Sequence, residues 1–391
     1  MSNDEWDVIV AGAGPAGATT AALLARQGRR VALVDAAHFP RQKVCGEYLS
    51  AAAWRLLERL ELEVPRSLAM PLTSLQLSAS ARRCVTVAYP DDVARQPAAL
   101  GRDVFDLRLA QAAERAGATL ACGMRLRSVL HDRGRVVGVE IVDVADPASV
   151  RELRAPLVIA ADGRRSRVVQ ETGRIQAGRS EIVGFKRHVA VDDFSAYENR
   201  ISMHAAPGCY VGVCPVAPGI VNLCGTMPKR WMQQAHGRIG EALRTLLPRD
   251  TPLMPLLTAS DDPVAAWHSM PEVSQQRSRH GMAGVLYVGD AMGTIEPLTG
   301  QGMTMALAGA QLVASLLYES HASTADAELQ RRYESAWRKQ FARPIAAAAW
   351  FGRILRRPRL LQGLLGTSQL LPGLTKSLVQ QAHRRTLTIS A

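Results

Sequence analysis

Residues Asp7 to Asp35 read DVIVAGAGPAGATTAALLARQGRRVALVD. Asp7 to Ala11 has the pattern of a buried strand. Gly12, Gly14 and Gly17 then fit G-x-G-x-x-G, with Ala16 inside the turn. Ala18 to Gln27 is helical in composition, and Gly28 can end that helix. Val31 to Val34 is a second short apolar strand, closed by Asp35, 23 residues after Gly12. A lone G-x-G-x-x-G says little. Between a strand and a helix, with an acid at this distance, it predicts a dinucleotide-binding βαβ unit. The glycines let backbone approach a pyrophosphate, and the helix N-terminus offers free N–H groups and a positive dipole end. Asp35 is placed for ribose hydroxyls; an ordinary surface acid is the alternative.

The chain has 391 residues, enough for two or three lobes, with 47% apolar and 21% charged residues. That composition is soluble and globular. The first residues lack a basic n-region and a signal-type apolar segment, and no run approaches about 18 apolar residues. The expected location is the cytoplasm, with a peripheral position at a membrane as a second option. Six scattered cysteines without a CxxC pair predict reduced thiols. Nine dispersed histidines, none paired at ligand spacing, predict no metal site.

The net charge of +12 is uneven. From Arg331 onward there are twelve basic residues and one acid, Glu334. This is either a solvated surface or a docking face for something acidic, such as an anionic membrane or an acyl carrier protein. Nucleic acid is not an expected partner.

Farther along, Leu72 to Tyr89 alternates as a hairpin would, outside the nucleotide-binding unit. GRDVFDLRLAQAAERAGATL returns to strand and helix, GRVVGVEIVDV is another strand region, and PLVIAADGRRSRVV ends a strand in Asp162-Gly163. Glu181 to Gly225 alternates again and predicts an antiparallel sheet. GVLYVGDAMGTIEPLTGQGMTMALAGAQLVASLLYE is strand, loop and a helix from about Met303 to Tyr318. The expectation is a discontinuous nucleotide-binding domain (residues 1–71, 101–170 and 280–330). A substrate domain follows from 72–100 and 171–279, and a basic segment spans 331–391. Pro344, Pro358 and Pro372 are expected to divide that last segment into short helices.

Four ordered motifs carry a resemblance: Gly12 to Gly17; Arg102 with Phe105-Asp106; Asp162-Gly163; and Gly289-Asp290 with Pro297-x-x-Gly300-x-Gly302. The chain resembles the two-domain flavoproteins of the para-hydroxybenzoate hydroxylase fold, and within them the geranylgeranyl reductase group. The resemblance implies an α/β fold: a Rossmann-like FAD-binding domain, an inserted antiparallel β-sheet substrate domain and a helical C-terminal segment. It implies FAD in the glycine site, with NAD(P)H as electron donor. Arg102 and Asp162 would lie at the cofactor, though an exposed arginine and a plain turn are the alternatives. Asp290 can accept hydrogen bonds from a ribityl chain or cap a turn. Pro297, Gly300, Gly302 and Met303 would aim a helix N-terminus at the flavin ring, whose reduced form carries negative charge.

Lys43-Val44-Cys45-Gly46 matches a Lys-x-Cys-Gly pattern of the reductase group, which lies beside flavin and substrate. Gly46 permits close approach. Cys45 is a candidate catalytic residue or a small packing residue. Glu47 could orient substrate, or relay a proton if burial raises its pKa. Where the reductases carry Tyr-x-Trp-x-Phe-Pro, this chain has Tyr210-x-Gly212-x-Cys214-Pro215. Two small residues there predict a wider substrate cavity. The Trp-x-Trp-x-Ile-Pro pattern of flavin halogenases is missing. The activity expected is reduction or dehydrogenation of a carbon–carbon bond in a lipophilic molecule. A flavin monooxygenase and a lipid-binding escort without turnover are the alternatives.

Overall fold

The computed structural model describes residues 6–80, 83–172, 181–247, 251–258, 266–270, 282–320 and 325–357. A five-stranded sheet lies at the centre of one half. Its order is Val285–Tyr287, Val158–Ala160, Val8–Ala11, Val31–Asp35 and Thr119–Cys122, all parallel. The first four are wholly buried apolar runs apart from the closing Asp35, as strands covered on both faces must be. Three distant stretches of chain thus build one sheet. The helices Pro15–Arg26, Arg102–Arg115 and Gly302–Glu319 belong to this half.

GRVVGVEIVDV forms the strand Arg135–Asp143, outside the parallel sheet. It is the middle of a separate three-stranded antiparallel sheet with Met124–Asp132 and Val150–Arg154.

The second half is a seven-stranded sheet. Its order is His268–Met270, Ile182–Ala190, Ile220–Pro228, Cys209–Ala217, Arg200–Ala206, Ser74–Ser80 and Arg83–Ala88. The sequence hairpin at Leu72 to Tyr89 supplies its last two strands. One pairing, Arg200–Ala206 with Ser74–Ser80, is parallel; the others are antiparallel. One face carries Phe185, Val211, Val213 and Leu223 into a core under the short helices Lys229–Gln234, Ile239–Leu246 and Met254–Thr258. The opposite face turns toward the loops of the first half.

The C-terminal expectation is corrected. Ala327–Leu355 is one helix of 29 residues that runs through Pro344. Leu329, Tyr333, Trp337, Phe341, Ile345 and Ala348 form its buried stripe in the main core. Proline inside a helix costs about 3 kcal/mol. Burying one large apolar side chain returns roughly 1.5–3 kcal/mol, so the stripe outweighs the break. Pro358 and Pro372 lie outside the described residues. No described helix is long and apolar enough to cross a membrane.

Candidate functional site

The glycine turn sorts its glycines by what surrounds them. Gly12 has φ +100°, and a Cβ there would meet Ala161 O at 2.5 Å. A Cβ on Gly17 would lie 1.8 Å from Gly12 O. These two let strand and helix pack. Gly14 differs: a Cβ would meet only the end of the Arg41 side chain, at 3.5 Å. Gly14 is also the N-cap of Pro15–Arg26 and offers no side-chain cap, so the first N–H groups of that helix stay available.

Asp35 is nearly buried and already engaged. It accepts from Ala13 N–H (2.7 Å), Ala37 N–H (2.9 Å) and the Arg41 guanidinium (2.9 Å). Arg41 also reaches buried Asp106 at 3.3 Å, while Arg102 grips the same carboxylate at 2.7 and 2.8 Å. Burial weakens the charged form of Arg102, but Asp106 and the neighbouring Cys45 outweigh it and raise the pKa. The structure thus turns Arg102 onto Asp106, with its side chain 12% exposed.

Asp290 accepts from Arg164 Nε at 2.9 Å. Asp162 Oδ2 accepts from the Arg167 N–H at 2.7 Å and caps the short helix Arg167–Thr172. Asp162 Oδ1 and Arg164 Nη1 are buried without a partner, and burial raises the Asp162 pKa. Gly289 has φ +59° and packs on Ala16, where a Cβ would come within 2.7 Å. Gly300 has φ +62° and lies against the Tyr48 ring. Met303 is buried in the helix Gly302–Glu319, whose cap residue Gln301 makes no side-chain cap bond.

These residues fit a dinucleotide. The helices Pro15–Arg26 and Gly302–Glu319 both start without a side-chain cap. Cβ atoms on Gly46, Gly163 and Gly302 would meet nothing within 4 Å. Two polar atoms, on Asp162 and Arg164, are buried and orphaned, and such atoms normally have partners. Arg41 and Arg102 are paired to the buried carboxylates Asp35 and Asp106, so the exposed Lys43 is the cation that would be left for a phosphate.

The Cys45–Glu47 stretch connects this side to the seven-stranded sheet. Cys45 is half-buried and accepts the Glu47 N–H at 3.3 Å on sulfur. Its carbonyl accepts from Asn222 Nδ2 at 2.9 Å. Glu47 is wholly buried at φ 57°. Its carboxylate accepts from Arg102 N–H (2.8 Å), from Lys186 Nζ, and from His188 Nε2 (2.7 Å). Burial would raise this carboxyl, yet His188 and Lys186 overcome it and hold the pKa below its ordinary value. Glu47 is therefore ionised, contrary to the raised pKa a proton relay was expected to need.

Lys186, His188 and Asn222 escaped the sequence reading. A trace was present: in GFKRHVA, Lys186 and His188 share one face of a strand otherwise rich in apolar residues. Register places them in cross-strand rows. One row runs His268, Lys186, Cys224, Gly212, Met203, Leu77, Val85. The next includes His188, Asn222 and Cys214. The face is charged at one edge and apolar toward the other. Leu298, from the Pro297 loop, packs on Leu77, Met203 and Tyr210.

The expected widening at Gly212 and Cys214 is not what register produces. A Cβ on Gly212 would meet Met203 Sδ at 3.0 Å, so a neighbouring strand occupies that space. Cys214 is buried among Tyr48, Leu72, Ala99 and Val216, and burial raises its thiol pKa. Tyr210 is buried beneath the Arg356 guanidinium, 5.9 Å from the ring centre. Arg356 also bonds Glu296 at 2.6 Å, which withdraws it from the solvated basic surface. All six cysteines are free thiols. Among the described residues no cluster of His, Cys, Asp and Glu could hold a metal ion.

Comparison with known proteins agrees with this architecture. A family model described as an FAD binding domain matches residues 5–349. The menaquinone reductase of Mycolicibacterium smegmatis is 28% identical, covering 92% of this chain and 87% of that protein. A digeranylgeranylglycerophospholipid reductase of Methanopyrus kandleri is 29% identical, covering 86% and 87%. The crystal structure of a geranylgeranyl bacteriochlorophyll reductase-like protein from Thermoplasma acidophilum superposes with a TM-score of 0.77 at 23% identity, covering 93% and 91%. With the glycine turn, the two uncapped helices and the family match in agreement, this chain belongs to the FAD-binding-domain family and is an FAD-dependent oxidoreductase.

Proposed function

We propose that the protein reduces a carbon–carbon double bond of a lipophilic isoprenoid or isoprenoid-quinone molecule, with NAD(P)H as the electron donor. One observation carries this reading: the face that meets the Cys45–Gly46 loop grades from charge at Lys186 to thioether and hydrocarbon at Met203, Leu77 and Val85. Such a surface suits a long apolar chain with a polar end. The names of the relatives, which act on a quinone and on prenylated lipids, support the same class.

Bound FAD would supply hydride transfer. The chain supplies the rest. Gly14 and the first turn of Pro15–Arg26 would take the pyrophosphate, together with Lys43. Asp290 and Arg164 would take polar groups along the cofactor, and Gly302 with the following turn would face its ring. Cys45 and Gly46 would border the reacting atoms, and Leu298, Tyr210 and Met203 would keep water from them.

The basic helix supports a partner reading too. Arg343 and Arg353 are exposed on it, Arg357 is exposed just past its end, and Trp350 is 64% exposed among them. We assign this face to an anionic bilayer surface, or to an acidic carrier protein, that presents the substrate. The test of the reaction is turnover with NADH or NADPH and isoprenoid quinones, run with and without oxygen. A product gaining two hydrogens across a carbon–carbon double bond of the prenyl chain, formed equally well without oxygen, is expected. A product gaining one oxygen, formed only in air, would make the protein a monooxygenase.

A further inference from the structure

Three ionisable side chains meet at the junction of the two halves. Lys186 is 1% exposed, Glu47 is 0% exposed and His188 is 27% exposed. A buried ion pair is seldom retained for stability, since desolvation offsets most of its attraction. Its geometry shows what else it does.

Glu47 sits at φ 57°, a left-handed conformation unusual outside glycine. The helix Arg102–Arg115 begins at Gly101, which has no side chain to cap it. Glu47 Oε1 takes that place by accepting the Arg102 N–H, while the Glu47 carbonyl accepts from Leu100 N–H at 2.9 Å. The Glu47 N–H in turn holds Cys45 Sγ. One residue therefore ties the Cys45 loop to the helix that carries Arg102. Lys186 and His188 tie it, from the other side, to the substrate face of the sheet. Lys186 also donates to Gln42 Oε1 at 2.7 Å, just upstream in the same loop. Asn222 secures the Cys45 carbonyl.

We infer that Lys186 and His188 are positioning residues. Acting through the Glu47 carboxylate, they hold Cys45–Gly46 and the first turn of the Arg102 helix in register with the substrate face. A displacement of about 1 Å at a reacting centre costs on the order of 100-fold in rate, so a firm three-way clamp is worth its buried charges.

The test uses the FAD-loaded enzyme and two readouts. The first is the alkylation rate of Cys45 by a thiol reagent, followed by peptide mass mapping, with exposed Cys84 as internal standard. The second is the split between kcat and KM in the reductase assay. Only this second readout rests on the reductase reading, so failure of that reading leaves the first intact. Lys186→Met should raise Cys45 alkylation about tenfold, leave Cys84 unchanged, and lower kcat about ten- to hundredfold with KM nearly constant. Lys186→Met with Glu47→Gln removes both buried charges together and should recover the melting temperature. Alkylation should stay fast and kcat low in that pair. His188→Ala, at a part-exposed position, should move both readouts the same way by several-fold. If the double variant melts like wild type and also regains wild-type Cys45 alkylation and kcat, the cluster is structural and the inference falls. Unchanged alkylation and kcat in His188→Ala would overturn it for His188.

Discussion

The Gly12–Gly17 turn and the Cys45–Glu47 loop both border the candidate cofactor site, and they are built in opposite ways. In the turn the constraint is backbone against backbone: Gly17 would place a Cβ 1.8 Å from Gly12 O, five residues away. In the loop, Glu47 is held by partners 55, 139 and 141 residues distant. The first is a local steric rule that any chain must obey to make the motif. The second is an agreement between two halves that exists only after both have folded. A mutation in the turn tests whether the unit forms; a mutation in the loop tests whether the halves meet correctly.

The sharpest contrast lies within the turn. Gly17→Val should abolish folding, because the atom it meets is backbone and cannot yield; soluble expression and a melting curve check this. Gly14→Val should leave the fold, since only the tip of Arg41 lies nearby, yet weaken FAD binding at least about 100-fold, roughly 2.7 kcal/mol. Flavin fluorescence titration measures it. Equal folding loss in both variants would erase the distinction between packing and cofactor glycines.

Next in size is the loop. Glu47→Ala leaves Lys186 buried beside an empty place and should cost about 3–5 kcal/mol by urea unfolding. The pH sign follows from the depressed Glu47 pKa. A carboxyl that titrates lower in the folded state stabilises it above the ordinary carboxylate range and loses that contribution as pH falls through its folded pKa. Glu47→Gln should therefore show a shallower acid loss than wild type.

His204 provides a comparison away from the site. It lies on the opposite face of the sheet, 8% exposed, with its imidazole lowered to about 4 by burial and by Arg200. The unfolded chain binds its proton first, so stability is full above about pH 6.5 and declines as pH falls toward 4. The linkage reaches about 3 kcal/mol at the acid end. His204→Asn should flatten urea midpoints across that window without changing Cys45 alkylation. A change in both would join two regions that the sheet keeps apart.

The smallest effect is expected on the basic helix. Arg343, Arg353 and Arg357 together changed to Ser should leave the melting temperature within a degree or two. Turnover of substrate presented in anionic vesicles should slow several-fold, turnover of a short soluble analogue should not, and added salt should reproduce the loss. Equal slowing with both substrates would return the segment to a structural role.

Much of this was legible because it obeys local rules. Alternation announced the Leu72–Tyr89 hairpin, and its strands joined the sheet built from 182–228. Glycines announced the turns at Gly12, Gly289 and Gly300, all at positive φ. Pro344 misled because a local rule met a larger tertiary term, the buried stripe from Leu329 to Ala348. Arg356 misled for a related reason: it reads as one more basic residue, and packing gives it to Glu296 and Tyr210. Gly212 reads as open space in the sequence, which does not say that Met203 lies opposite it.

By itself, then, the sequence determined the βαβ unit, the order of the cofactor-side motifs, the alternating sheet and the basic character of the last sixty residues. Each follows from steric, periodic or compositional rules that act over a few positions. The tertiary structure alone decided that Glu47 is ionised, that Lys186 and His188 share it, that Arg356 leaves the basic surface for Glu296, and that the C-terminal helix passes through its proline. Those outcomes depend on which side chains burial brings together. The Glu47 charge takes its meaning from neighbours that the chain supplies more than a hundred residues away.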